Sequence, residues 1–349
     1  RHGHLSPKES YLFQKIGFWK DHYEGDETSF NWYAKGTPLT MDYGTYTGDA
    51  GVCASHNLVE ITDLDPLRRG YLADHMFSPV LDYTHCELPV VMKLLWGRVR
   101  SFAEIDNKDG KVDRMQTPYF YIGDKNPVGP KVWQVRLLLF VKPDYIALFD
   151  RVYGDVPHRY NLHITGDAPV RDGSLISSKG RFDLDLKVLV QHPAEFEMET
   201  GELIPGPDRY GRGEDNPHRQ NWFRLYNKND GFYRTLLFAQ ERGRQVTLER
   251  VGRAGMKVTT PEYTDFVFLH NEPVEERLAD VTFSGGVGWI RRTASGQVQA
   301  MVRDGDAISA FGVRLTGRGP WLYNVDGKGG IQLAGGPPRA VKVEHPSRD

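Results

Sequence analysis

The sequence predicts an all-β protein, with a large antiparallel β-sandwich (a supersandwich) followed by a small C-terminal β domain. Its 37 glycines and 21 prolines separate short runs rich in Val, Phe, Tyr, Ile and Trp. Many of these runs follow one another at intervals of roughly eight to twelve residues, a spacing typical of antiparallel sandwiches. No alternation of strand and helix patterns indicates a parallel sheet.

Ten segments predict strands most clearly, because their residues either alternate between apolar and polar or remain apolar throughout. They are Ser29–Lys35, Trp133–Val141, Tyr145–Val152, Tyr160–Thr165, Trp222–Tyr226, Arg234–Ala239, Gln245–Val251, Asp265–Leu269, Val287–Arg292 and Val298–Val302.

Two short connections predict hairpins and therefore antiparallel pairing. The first is "KPD", between Val141 and Tyr145, and the second is "TASGQ", between Arg292 and Val298. Gly296 in the second connection can supply the positive φ that a short turn requires.

Helices are expected to contribute little. Only Leu88–Phe102 and Pro66–Met76 have patterns compatible with a helix. The polar stretch Gly201–Arg219 contains several glycines and prolines and predicts a long surface loop. A second break near Asn271–Glu276 leads us to expect a domain boundary there, with residues 1–272 in the sandwich and 273–349 in the small domain.

Composition excludes two classes of partner. The 44 basic and 46 acidic side chains nearly cancel, and no dense basic cluster indicates nucleic-acid binding. No window approaches the roughly 18 consecutive apolar residues of a membrane span. Cys53 and Cys86 are too few for a disulfide scaffold, so they are expected to be either two inert thiols or a single disulfide.

The densest group of chemically active residues lies between positions 21 and 57. This stretch contains His22, Glu24, Asp26, Glu27, Asp42, Asp49 and His56. Hairpin pairing of the strand "SFNWYAKG" would bring Glu24 and Asp42 together, and His56 begins the next extended run. One histidine and two carboxylates suit Zn²⁺ or Mn²⁺. In the alternative interpretation, the aspartates occupy turns, the glutamates are solvated and His56 is a buried, hydrogen-bonded residue.

Four segments in this order resemble the β domain of heparinase II/III-like polysaccharide lyases. They are "DHYEGDETSF", "YAKGTPLTMDYGTY", "SHNLVEI" and "WQVRLLLFVKPDYIALFDRV". The resemblance implies that His22 reaches into the catalytic cleft and that Glu24, Asp42 and His56 form a structural metal site. Glu24 stands where the family usually has histidine, so the implied Zn²⁺ could be replaced by Mn²⁺.

The resemblance also implies a function. Such lyases cleave acidic, uronate-containing polysaccharides, such as alginate, ulvan or heparin-like polymers, by β-elimination. The family's catalytic Tyr and His lie on an N-terminal (α/α) toroid, for which this sequence has no amphipathic helices, so we expect the chain alone to be incomplete for catalysis. A secreted or periplasmic bacterial location is expected.

Several residues near the acidic segment are candidates for substrate contact. Trp19 and Tyr46 could stack on sugar rings, and Arg136 could meet a uronate carboxylate. Core packing or a structural ion pair would also explain an arginine on a strand. His163 alternates with apolar neighbours and is expected to be structural.

Two other functions stay open. One is a non-catalytic carbohydrate-binding or scaffolding β-sandwich in which the acidic cluster holds Ca²⁺. The other is an all-β hydrolase that uses Glu24 and Asp42 as paired carboxylates.

Overall fold

The computed structural model describes most of the chain in separate stretches. They are residues 1–16, 26–41, 53–61, 66–68, 70–92, 132–154, 156–191, 196–203, 220–227, 231–317, 320–325, 331–333 and 342–344. These residues form antiparallel strands and one short 3-10 turn, η1 (Cys53–Ser55). They contain no helix long and apolar enough to cross a membrane.

The strands form three sheets, and every described strand pair is antiparallel. Sheet I contains β1 (Tyr11–Gln14), β2 (Phe30–Ala34), β3 (Thr37–Thr40), β4 (Val59–Ile61), β10 (His158–Ile164), β14 (Phe196–Leu203) and β15 (Gln220–Asn227). Sheet II contains β5 (Pro66–Arg68), β6 (Tyr71–Phe77), β7 (Leu81–Met92), β8 (Val132–Val141), β9 (Tyr145–Tyr153), β11 (Val170–Asp172), β12 (Leu175–Ser178), β13 (Leu184–Gln191) and β16 (Phe232–Glu241). Sheet III contains β17 (Thr247–Val251), β18 (Gly255–Thr259), β19 (Tyr263–Arg277), β20 (Val281–Thr293), β21 (Val298–Ala310), β22 (Val313–Thr316), β23 (Trp321–Val325), β24 (Ile331–Leu333) and β25 (Lys342–Glu344).

The order of strands within each sheet follows the hairpins only in part. Sheet I runs β1-β2-β3-β10-β15-β14, with β4 also paired to β10. Sheet II runs β11-β12-β13-β16-β9-β8-β7-β5, with β6 also paired to β7. Sheet III runs β17-β18-β19-β20-β21-β22-β25, and β23 connects β21 to β24.

Sheet II is the middle layer of the molecule. Leu138 and Ile146 belong to a core shared with sheet I, whereas Leu137 and Phe149 belong to a second core shared with sheet III. A third core covers the other face of sheet III. Because both faces of sheet II are buried, its central strands are continuous apolar runs such as "RLLLFV" rather than alternating ones.

The structure confirms the all-β sandwich fold and the ten predicted strands. Both hairpins are also present: Val141 pairs with Tyr145, and Gly296 has a φ of 85°. The possible helix at Pro66–Met76 is wrong, because this stretch forms β5 and β6, which pair with β7 through backbone hydrogen bonds.

Other predicted boundaries are described only in part. Leu88–Met92 belongs to β7, and residues 93–102 lie outside the described residues. Gly201–Leu203 ends β14, and the rest of the predicted loop also lies outside them. Residues 272 and 273 lie within β19, and sheet III begins at Thr247, so the division at this point stays a prediction.

Cys86 is a buried, free thiol on β7. Burial raises the pKa of this thiol to about 12; the charge of Arg136 acts against this rise, whereas Asp150 and Glu27 add to it. Such a thiol is inert at neutral pH, because thiolates and not thiols react. The side chain of Cys53 lies outside the described residues.

Asp144 joins the three layers at one end of the stack. It lies in the turn between β8 and β9. Its Oδ1 forms an ion pair with the Nζ of Lys35, in the β2–β3 turn, at 2.7 Å. It also pairs with Arg244 at 3.0 Å and accepts a 2.7 Å hydrogen bond from Tyr263 of sheet III. Burial alone would raise its pKa, but Lys35, Arg244 and Tyr263 together lower the pKa to about 2.

We predict that Asp144→Asn lowers the free energy of unfolding by about 2 kcal/mol or more at pH 7, because a carboxylate with a depressed pKa stabilises the fold. That stabilisation is complete above the ordinary carboxyl pKa near 4 and is lost as the pH falls towards about 2. Denaturant unfolding of both proteins over this range measures the difference. The exposed Asp306→Asn serves as control, and a wild-type advantage independent of pH would contradict the prediction.

Candidate functional site

The predicted site residues divide into two groups. His22, Glu24 and Asp42, together with the aromatic candidates Trp19 and Tyr46, lie outside the described residues. His56 and Arg136 are described, and both side chains are fully buried. The residues around His56 therefore define the part of the site that the structure brings together.

His56 lies beside a gap at the edge of β10. Strands β3 and β4 both pair with β10, β3 at Ile164 and β4 from His158 to Tyr160. Asn57 occupies the space between them, where its Oδ1 accepts a 2.6 Å hydrogen bond from the His163 backbone N–H. A side chain thus replaces the missing strand and satisfies a buried backbone donor.

Asn57 also joins the chain segments that border the acidic stretch. Its Nδ2 donates to the carbonyls of Phe30 at 2.8 Å and Met41 at 3.2 Å. Its backbone N–H donates to the Ser29 hydroxyl at 3.1 Å. Residues 29, 41 and 57 therefore meet next to His56, and these positions are close in sequence to Glu24 and Asp42.

Arg136 holds the same segments from the side of sheet II. It makes a bidentate ion pair with Asp150, with N···O distances of 2.6 and 3.1 Å. Its Nη1 donates to the carbonyls of Thr28 at 2.7 Å and Asn57 at 2.8 Å. This corrects the prediction of a substrate contact for Arg136: four donor contacts are made within the protein, and none of its surface is accessible.

Two acidic residues of the predicted cluster also have structural partners. Asp26 forms an ion pair with Lys15, and Glu27 is buried and accepts a 3.1 Å hydrogen bond from the Gly70 backbone N–H. The interpretation of Glu27 as a solvated residue is therefore wrong.

The outer face of sheet I carries a row of residues that sequence analysis did not assign. On β15, Phe223 and Leu225 enter the core, so Trp222, Arg224 and Tyr226 lie on the opposite face. Trp222 is paired across the sheet with His163, whose Nε2 lies 2.9 Å from the Ala54 carbonyl of η1. The row therefore adjoins the His56 segment, and His163 is structural, as expected.

Trp222 lies against the neighbouring strand. A Cβ at Gly201 of β14 would overlap the indole ring, so glycine is needed for this close approach. The Arg224 guanidinium lies 4.0 Å from the indole centroid. A carboxylate oxygen of Glu199 lies 3.9 Å from this guanidinium. Burial, and then the charge of Arg159, lower the pKa of Arg224, which stays positively charged at neutral pH.

Polar contacts hold the rest of this face in position. Arg159 of β10 forms a 2.5 Å ion pair with Glu60 of β4 and donates a 3.1 Å hydrogen bond to the Tyr226 hydroxyl. That hydroxyl donates to Glu199 at 2.8 Å. The row could have been predicted from the segment "NWFRLYN". In it the apolar residues Phe223 and Leu225 alternate with an aromatic, a cationic and a second aromatic residue.

Within the described stretches, no group of three His, Cys, Asp or Glu side chains is placed to hold a metal ion. Of the predicted ligands only His56 belongs to these stretches. The arrangement that is described can bind a sugar ring through an aromatic side chain and an acidic group through Arg224.

We predict that Asn57→Ala lowers the free energy of unfolding by about 3 kcal/mol, because it leaves the His163 N–H and two carbonyls without partners. Denaturant titration measures the loss. Asn221→Ala removes a single hydrogen bond, to the Gly166 carbonyl, and should cost about 1 kcal/mol. Equal losses in the two variants would refute the role assigned to Asn57.

Comparison with known proteins gives structural neighbours only. No protein-family profile and no curated protein matches the sequence. Heparan sulfate lyase HepC from Pedobacter heparinus is similar with a TM-score of 0.48 and 12% identity, covering 72% of this chain and 37% of that chain. A heparinase III is similar with a TM-score of 0.46 and 10% identity, covering 73% of this chain and 38% of that chain. The chain thus spans less than two fifths of the length of these heparin and heparan sulfate lyases.

Proposed function

We propose that this chain is the β-sandwich part of a polysaccharide lyase that cleaves uronate-containing polymers by β-elimination. The observation that carries the proposal is the row of Trp222, Arg224 and Tyr226, which adjoins the segment that bears His56. Sugar polymers are bound by aromatic faces, and a uronate adds a carboxylate that arginine recognises well. A secreted or periplasmic location would accord with a polymeric substrate.

β-Elimination makes three chemical demands. The carboxylate on C6 must be neutralised so that the proton on C5 becomes acidic, a base must remove that proton, and an acid must protonate the departing O4. In this proposal Arg224 contacts a carboxylate of the polymer, and Trp222 supports the sugar beside it. His22 enters the cleft from this chain, and a helical toroid outside it supplies Tyr and His.

Glu24, Asp42 and His56 are proposed as the ligands of a structural zinc ion. Support comes from Asn57, whose hydrogen bonds hold residues 29, 41 and 57 together beside His56. One imidazole and two carboxylates suit zinc or manganese. The metal would fix the segments that border the cleft, without a direct part in the proton transfers.

The metal proposal predicts about one zinc or manganese per purified chain by elemental analysis. Glu24→Gln and Asp42→Asn should each lower the metal content and the melting temperature, because a metal bound to the native state stabilises it. Glu197→Gln, which changes an exposed carboxylate on β14, is the matched control. Calcium in place of zinc would favour the non-catalytic scaffold, and an absence of metal would refute the site.

The substrate proposal predicts that the chain binds alginate, ulvan or a heparin-like polymer but does not cleave it alone. Trp222→Ala and Arg224→Gln should each weaken binding about tenfold, as measured by calorimetry, because each removes a desolvated contact. Arg314→Gln on sheet III is the control.

Ultraviolet absorbance of an unsaturated uronate tests for cleavage in the same samples. A double bond formed by the chain alone would contradict the need for a separate toroid. Reducing ends released without a double bond would favour the hydrolase that uses Glu24 and Asp42. Unchanged binding in both variants would refute the role of β15.

A further inference from the structure

A second polar site lies between sheets II and III, away from the row on sheet I. It is a partly open cavity of about 260 Å³. Its floor is apolar, formed by Leu137 and Val287, and its walls are polar. The wall residues are Asp74, Tyr83, His85, His270, Asn271, Arg303 and Asp304.

Irregularities in three strand pairs meet at this cavity. The register of β6 on β7 shifts between Leu72 and Asp74, and that of β19 on β20 shifts between Leu269 and Val274. Asp74 directly follows the first shift, and His270 and Asn271 lie within the second. Such bulges re-aim side chains and occur frequently beside binding sites.

The third irregularity is between β20 and β21, where Asp304 pairs with Val287 and Arg303 has no partner in the register. It depends on Gly285 and Gly305, whose φ values are 149° and 150°. A Cβ on either glycine would overlap the facing backbone. Glycine is therefore required at both positions, and the resulting distortion turns Arg303 and Asp304 towards the cavity.

The charges of the cavity disfavour an acidic ligand. Arg303 is neutralised by Asp74, with which it forms a bidentate ion pair. Asp304 is exposed, and no hydrogen bond or ion pair within the described stretches engages its carboxylate. Burial, followed by the charge of Arg234, lowers the pKa of His270, so this imidazole is neutral at pH 7. The remaining charge on the walls is therefore negative.

Hydrogen-bonding groups of both kinds are left for a ligand. The Oδ1 of Asn271 is buried without a partner in the described part of the chain, while its Nδ2 donates to Tyr153. The Nδ1 of His270 accepts a 3.1 Å hydrogen bond from the Glu272 backbone N–H, which leaves the Nε2–H of the neutral ring to donate to a ligand. Unpaired buried polar atoms are costly, so a ligand that pairs with them is favoured.

We infer that this cavity binds a single neutral sugar ring, of the hexopyranose type. Hydroxyl groups can donate to Asp304 and Asn271 and can accept from Nε2 of His270, while Leu137 and Val287 contact the apolar face of the ring. The volume is slightly below the range of about 300–1,000 Å³ for sites of drug-sized ligands, as expected for one ring. A uronate would place its carboxylate near Asp304 and be disfavoured.

Ligand-observed and protein-observed NMR titrations of the whole chain with glucose, galactose, mannose and glucuronate test this inference. At least one neutral hexose should cause saturable shifts in residues of the cavity, and glucuronate should bind at least about tenfold more weakly. Asp304→Asn should weaken hexose binding about tenfold, because it removes a charge-assisted hydrogen bond.

Asp306→Asn is the matched control, an exposed aspartate two positions along the same strand that does not line the cavity. It should leave hexose affinity unchanged. The inference is overturned if none of the three hexoses gives saturable shifts, if glucuronate binds as tightly as the hexoses, or if Asp304→Asn binds as the wild type does.

Discussion

Burial of both faces of sheet II is the constraint on which the rest of the structure depends. A buried polar side chain on its central strands, β8 and β9, has no solvent to meet and must find its partner within an adjoining layer. Arg136 does so on the side of sheet I, with Asp150 and two backbone carbonyls. On the other side Tyr145 donates to Asp265, which also accepts from Trp289 and Arg291 of sheet III. The buried polar groups therefore fix how the layers align.

The two candidate sites depend on this alignment in different ways. The row on β15 lies on the solvent side of an outer sheet, where strict alternation separates a rigid apolar face from a face that can contact a polymer. The cavity between sheets II and III instead depends on departures from alternation, because regular strands would have filled the space with apolar side chains. Regular strand pairing thus produces an extended surface, and irregular pairing produces a small, partly open cavity, in one molecule.

The fold can be predicted from the sequence because strand periodicity and turn residues are local signals. The extended conformation of Pro66–Met76 cannot, since pairing with β7 decides it. His56 stands out in the sequence as a candidate site residue, whereas Arg136 was wrongly predicted to contact substrate, because an arginine on a strand looks the same whether its carboxylate partner is Asp150 or a ligand. The cavity was not predicted: Asp74, His270 and Asp304 are far apart in sequence and meet only through shifts of register.

The buried thiol of Cys86 makes the separation of two layers measurable. It lies in the layer between sheets I and II, where the Gln14 side chain of β1 donates to its sulfur at 3.6 Å. Since its pKa is about 12 in the folded protein, this thiol is protonated at neutral pH. Alkylating reagents, which react with the thiolate, therefore modify it after the layer opens. The rate of alkylation of this cysteine therefore reports how often sheets I and II separate locally, and so measures local opening near His56.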